Sequence, residues 1–483
     1  MLIAASTTEL TDSLSTPNVF WTWPFVAILL AIALLPLNRR THHWWEQNRN
    51  KLLVSVVLAA ATLAYYGFRG HGIGGGHEPA AAEPAPASAP APESAHATPA
   101  GWQTVVGVLR HAVLDEYIPF MVLLFSLYVI AGGIVIRGDI QATPLDNTTI
   151  LAIGGILASL VGTTGASMML IRLLLRTNME RRRVAHTIVF FIFIVSNVGG
   201  TLLPIGDPPL FLGYLRGVDF FWTLRLWKEW AFVLGALLAV YYVYDTWQYR
   251  HETAAAIRED RARIEPVQVH GMLNLVWVLG VVLAVALLDP SKPVPGTGWH
   301  AWPYLREGVQ LAMAGLSLAT THASLRRDNK FNYTAIGEVA CLFIGIFITM
   351  QVPIEILHAR GPELGLTQPW QYFWATGVLS SFLDNAPTYV VFFETARTLP
   401  ELHNGMLALV GGGHIREDLV VAISCGAVFM GANSYIGNGP NFMVKSIAEQ
   451  AGVKMPSFFG YMAYAAVFLV PLFLAMTWVF FRP

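Results

Sequence analysis

The chain has 483 residues, of which 54% are hydrophobic and 13% are charged, and its mean hydropathy is +0.51. That charged share is about half the roughly 25% usual for a soluble protein, so a disordered chain is excluded and ordinary soluble domains would have too little charge to coat their surface. Lys+Arg (30) and Asp+Glu (31) nearly cancel, which leaves no basic field for nucleic acid and no acidic tail. Cys341 and Cys425 both sit inside apolar runs, so they are read as small core residues and not as a disulfide, zinc or iron–sulfur framework.

The balance fits an all-α polytopic protein of the inner (cytoplasmic) membrane, and the apolar segments can be placed in chain order against the Lys/Arg bias of the loops. Phe20 to Leu37 is the first span. It is followed by Arg39, Arg40, Arg49 and Lys51, whereas residues 1–19 hold no Lys or Arg, which places the N-terminus outside and argues against a signal peptide. Leu52 to Phe68 returns outward. Glu78 to Ala100 alternates proline with alanine and reads as an extended external tether with no catalytic role. Tyr117 to Ile136 comes back in after an amphipathic stretch, Trp102 to Glu116.

Thr149 to Leu175 is apolar but interrupted by Gly162-Thr163-Thr164-Gly165-Ala166-Ser167, and Arg137 and Arg181 to Arg183 flank it on both sides. A single crossing would break the charge alternation, so a re-entrant hairpin from the cytoplasmic side is expected. Val184 to Tyr214 contains Ser196 to Thr201 and Pro204 to Pro209, a string of glycines and prolines that no continuous helix survives. It reads as two half-helices with an unwound centre. Trp230 to Tyr244, Met272 to Leu288, Val309 to Thr321 and Ile336 to Leu357 are plain spans. Tyr372 to Thr395, broken at Leu383 to Thr388, is a second hairpin, entering from outside. Leu419 to Ile447, broken at Gly431 to Asn441, is a second broken helix, and Phe458 to Phe481 ends the chain outside.

The order is thus an inverted repeat of 5+5 transmembrane segments with two re-entrant hairpins and two broken helices. Residues 1–77 hold the first two spans, 78–100 the tether, 101–268 the rest of repeat one with hairpin 149–175 and broken helix 184–214, and 269–483 repeat two with hairpin 372–395 and broken helix 419–447. Interrupted helices at corresponding places in two halves point to a transporter site near the bilayer midplane.

Unwound carbonyls with Ser, Thr and Asn beside them can replace an ion's hydration shell or hold a carboxylate. Asp207 and Asp384 discriminate between these, since a carboxylate at membrane depth usually carries a cation or proton, although each could instead cap a half-helix. Asn197, Thr201, Asn385, Thr388, Asn433, Asn438 and Asn441 are either ligands or turn formers, and Thr163, Thr164 and Ser167 have the same standing. Glu338 and Glu355, near opposite ends of one span, read as interfacial residues or as functional ones. The histidines show no helical ligand pair, so no resident metal site is assigned. Gly72 to Gly76 lacks the Lys-Ser/Thr of a phosphate loop.

The strings Ser196-Asn-Val-Gly-Gly-Thr-Leu-Leu-Pro-Ile-Gly-Asp207, Ser380-Ser-Phe-Leu-Asp-Asn-Ala-Pro-Thr388 and Gly431-Ala-Asn433 through Asn441 resemble signatures of the ion transporter superfamily. They are most similar to those of sodium/proton antiporters of the NhaD type and of the related citrate transporters. The resemblance implies that hairpin tips and helix breaks jointly form the site, that Asp207 and Asp384 carry sodium and protons, and that a homodimer combines a scaffold with a moving transport domain. Carboxylate transporters of that superfamily carry Ser-Asn-Thr at both tips. Here the first tip reads Thr163-Thr164-Gly165-Ala166-Ser167 and the second has Asp384 before Asn385. An anionic Asp384 repels citrate and attracts sodium, so exchange of sodium or lithium for protons is expected, with cation-coupled citrate or di- or tricarboxylate symport as the alternative. Neither reading needs a cofactor or a catalytic residue, and the partners expected are inorganic cations, protons, lipid and, in the alternative, carboxylates.

Overall fold

The computed structural model describes residues 16–36, 38, 40–72, 100–294, 296–401 and 404–482. The alanine/proline tether, apart from Ala100, and most of Gly72 to Gly76 lie outside these residues. The fold is mostly helical, and among the described residues six helices are long and apolar enough to cross a membrane, including Asn48–Phe68, Pro144–Val161 and Phe458–Phe480. The chain divides into two compact units. One comprises the segment ending at Met121 together with Thr334–Leu366 and Val391–Arg416, and the other comprises Val122–Tyr333, Thr367–Val390 and Glu417–Pro483.

In the first unit, α1 (Trp23–Leu34) and α2 (Asn48–Phe68) pack with α3 (Trp102–Ala131), which runs on into the second unit, and with the helix Thr334–Thr349. Gly345 lets that last helix approach α2 closely, since a Cβ there would meet Ser55 and Ile28. Ion pairs clamp the assembly at two levels: Lys51 Nζ to Glu338 Oε1 at 2.7 Å, and Arg69 Nη1 to Glu355 Oε2 at 2.8 Å. Tyr66 also donates to Glu355. Lys51 is buried, so removing either glutamate would strand a cation without its counter-charge. Glu338 and Glu355 are thus each ion-paired to a buried cation.

The second unit contains β1 (Val135–Asp139), α4 (Pro144–Val161), α5 (Thr163–Thr177), α6 (Ala185–Ile194), α7 (Pro208–Leu215), α8 (Trp227–Tyr249) and β2 (Glu265–His270). It continues with α9 (Leu273–Leu287), α10 (Leu305–Thr320) and α11 (Pro369–Ser380). The first turns of α12 (Asn385–Arg397) also belong to it, and α13 (Glu417–Met430), α14 (Gly439–Gln450) and α15 (Phe458–Phe480) complete it. The core is aromatic: Phe190, Phe193, Tyr241, Phe373, Tyr461 and Phe473 are fully or almost fully buried. The pair α11 and α13 approaches so closely that a Cβ on Gly426 would press on the Phe373 carbonyl oxygen. At the start of α6, Asp245 of α8 accepts from Arg181 Nη2 at 2.6 Å and pairs with His186 Nε2 at 2.7 Å, and Asn147 and Asn178 bond to each other beside it. This buried network fixes where the first broken helix begins.

The four segments expected to be interrupted are each divided into two helices, with shifted edges: α4 and α5, α6 and α7, α11 and α12, and α13 and α14. The first hairpin breaks at Gly162 alone, whose φ of 81° suits glycine, and Thr163 to Ser167 are already helical. Three features differ from the sequence reading. The amphipathic stretch Trp102 to Glu116 and the following span are one helix with a π-turn at His111–Tyr117. Val135 and Ile136, taken as the end of that span, begin β1, which pairs antiparallel with β2. Two further short strands, Met406–Ala408 and His414–Arg416, form a hairpin. β-Branched residues extend an apolar run as well as a helix former does, so composition alone did not mark where the helix gave way to a strand.

Candidate functional site

Asp207 ends the unwound centre of the first broken helix, immediately before α7, and is buried. Its side chain does not cap α7. Instead it accepts from Thr163 Oγ1 at 3.0 Å, Asn385 Nδ2 at 2.6 Å and Asn438 Nδ2 at 2.9 Å. These donors come from the first hairpin tip, the second hairpin tip and the second helix break. Four interrupted elements thus meet on one carboxylate, and no Lys, Arg or His side chain among the described residues pairs with it.

The other predicted residues differ in what they contact. Asn197, Asn438 and Asn441 bind the two breaks together: Asn197 Nδ2 donates to Asn441 Oδ1 at 2.8 Å, Asn438 also donates to Ser196 O at 3.1 Å, and Asn441 donates to Gly431 O and Ser434 O. Asn433 donates to Ser381 Oγ at 2.9 Å, and Ser167 Oγ lies 2.9 Å from Ser196 Oγ. Thr201 and Thr388 bond to backbone carbonyls three and four residues back, at Val198 and Asp384, and serve their own turns. Thr164 is half-buried beside Thr163, which is the residue that reaches Asp207.

Asp384 is half-buried, and its Oδ1 accepts from Ala386 N at 3.0 Å, as an N-cap of α12 does. The surroundings of the two carboxylates differ: Asp207 gathers side-chain donors from three other elements, and Asp384 bonds to the backbone of its own helix.

Three amide oxygens near this hub, on Asn197, Asn385 and Asn433, are buried without a hydrogen-bond partner among the described residues. A buried acceptor left unpaired costs about 1–3 kcal/mol, so each of these oxygens is available to a cation or a donor.

Two serines that the sequence reading passed over complete the frame. Ser159 Oγ donates to Gly199 O and accepts from Leu202 N at 3.0 Å. Ser381 Oγ donates to Gly377 O of its own helix at 2.8 Å, with Met430 O at 3.2 Å as a longer acceptor, and accepts from Asn433 Nδ2 at 2.9 Å. In each case a hairpin serine, four residues before the tip residue that reaches Asp207, bridges the start of the helix break beside it. The glycines match as well. A Cβ on Gly206 would overlap the Gly200 carbonyl oxygen, and one on Gly437 would overlap that of Gly431. The residue after each pair is Asp207 in the first break and Asn438 in the second.

A family model described as "Putative citrate transport" matches residues 92–481. No curated protein matches the chain.

Proposed function

The chain belongs to that transport family, and on this premise we propose that it is a secondary transporter of the cytoplasmic membrane that exchanges sodium or lithium for protons at Asp207. The observation that carries this reading is the set of partners around Asp207, which is three neutral donors and no cation. A bare carboxylate at membrane depth is costly, and no counter-charge within the cluster offsets it. A proton or a small cation from solution therefore completes the site. The donors hold the carboxylate in one orientation, and the unpaired oxygens of Asn197, Asn385 and Asn433 can replace part of the water shell of a sodium ion. Proton and sodium then compete for the same oxygens. Exchange follows when the site opens to each face in turn. The equivalent serine and glycine contacts in the two hairpin–break pairs support the inverted 5+5 repeat on which such alternation rests.

Cation-coupled symport of citrate or another di- or tricarboxylate is the second reading, and the family description favours it over exchange. A polyanionic cargo would meet Asp207 and, next to Asn385, Asp384, so it would have to enter together with cations that neutralise them.

Purified protein in liposomes with a trapped pH dye separates the two. Sodium-driven or lithium-driven proton movement without citrate is the expected result. Citrate uptake that requires sodium and moves no protons in its absence would replace exchange with symport, and failure of both would remove Asp207 as a carrier.

A further inference from the structure

Away from Asp207, a cavity of about 880 Å³ opens among the end of α5, the start of α6, the segment entering β2 and the loop after α14. Its lining includes Arg176, Arg181, Arg182, Arg263 and Lys454, opposed by only two carboxylates, Asp139 and Glu265. Arg181 is spent on Asp245, and Arg263 pairs with Glu180 and Glu259. Arg176, Arg182 and Lys454 are exposed, and their side chains form no ion pair or hydrogen bond among the described residues. These three cations repel one another across one concavity. Asp139, which Arg176 faces, and Glu265 offset them only in part, and a further anion between them would relieve the repulsion. The site is also of the size that takes a small organic ligand, since such pockets run to about 300–1,000 Å³.

We propose that this cavity binds a phosphate-bearing anion. The guanidinium fork of arginine matches the oxygens of a phosphate two at a time, and lysine adds a point charge. Loop charge puts Arg181 to Arg183 on the cytoplasmic side, where both anionic phospholipid headgroups and soluble phosphates are at hand, and basic pockets beside membrane helices hold such headgroups. The walls give the site a consequence. Arg176 ends the second helix of the first hairpin, Arg182 precedes the first broken helix, and Lys454 follows the second. A bound phosphate would tie together the outer ends of three elements whose inner ends meet at Asp207.

The test uses the full-length chain, purified in detergent and stripped of lipid, with its unfolding midpoint followed during titration. The probes are inorganic pyrophosphate, a short-chain phosphatidylglycerol and, as control, a short-chain phosphatidylcholine. A saturable rise in midpoint with pyrophosphate alone identifies a soluble phosphate, and one with phosphatidylglycerol identifies a headgroup; either result supports the site. In R176Q/R182Q/K454Q the apparent affinity should fall at least about tenfold, and added salt should weaken binding to the parent. R182Q alone, at an exposed position with no side-chain partner, keeps the test open if the triple variant does not fold. The proposal is overturned by no saturable response to either phosphate probe, by a phosphatidylglycerol response that phosphatidylcholine matches with none to pyrophosphate, or by undiminished affinity in the variants.

Discussion

Asn385 Nδ2 donates to Asp207 Oδ2 at 2.6 Å, joining the tip of the second hairpin to the centre of the first broken helix. Because Asn385 follows Asp384 directly, this bond brings two carboxylates into one neighbourhood and gives them different work. Asp207 gathers three side-chain donors, and Asp384 caps the helix that carries Asn385.

That difference predicts unequal effects of neutralisation. Asp207→Asn keeps the size of the side chain and removes its charge, so exchange should fall about 100-fold or more, the scale of losing an essential proton-transfer group. Asp384→Asn should retain measurable exchange, because asparagine caps a helix as well as aspartate does. Dye-reported proton flux in liposomes compares the two. Equal loss in both would return Asp384 to the role of carrier.

Asn385→Ala and Asn438→Ala each remove one donor from a buried carboxylate, a bond worth about 1.5–3 kcal/mol. The sodium concentration for half-maximal exchange should rise by about tenfold or more in either variant. Sodium titration of flux measures this, and an unchanged half-maximum would mean that Asp207 does not bind the transported ion.

Ser159→Ala and Ser381→Ala should lower stability by similar amounts, about 1–2 kcal/mol each, since each hydroxyl accepts from a donor of the buried break and donates to a backbone carbonyl. Thermal unfolding in detergent reads the effect. A large loss in one and none in the other would deny that the two hairpin–break pairs are equivalent.

The acid dependence of stability has a source outside the membrane spans. The Asp139 carboxyl is pushed up to about 6 by burial and then by the neighbouring carboxylates of Glu180, Asp260 and Glu265, with Arg176 opposing. The folded state therefore holds this proton more tightly than the unfolded state, whose value is near 3.8. The stability it contributes is complete below 3.8 and is lost as pH rises through about 6. Asp139→Asn should flatten this component, making the variant relatively more stable than the parent at pH about 7.5 than at pH about 5. Unfolding midpoints at the two pH values supply the check, and identical slopes would assign the dependence elsewhere.

Much of this architecture is legible in the residues because glycine and proline interrupt helices for local reasons. The breaks at Gly162, at Ser196 to Pro209, at Leu383 and Asp384 and at Gly431 to Asn438 follow from missing donors and loosened backbone, whatever surrounds them. The partners of Asp207 are less legible. Whether Thr163 or Thr164 reaches it depends on the phase with which α5 leaves Gly162, a matter of one residue that composition does not encode. Ser159 and Ser381 sit at hairpin positions where a serine usually means little, and only the neighbouring break gives them partners. Asp207 and Asp384 both precede helices, so capping propensity could not rank them; the contacts made by distant tips did.

A helix broken in its middle invites description as a hinge. The two breaks here have the opposite character. Gly206 lies against the Gly200 carbonyl and Gly437 against that of Gly431, with no room for a single methyl group, and Ser159 and Ser381 stitch each break to its hairpin. Bending at either point would tear hydrogen bonds and open voids in a close-packed interior. The breaks behave as rigid knots, and any motion that shows Asp207 first to one side of the membrane and then to the other has to carry both knots along intact.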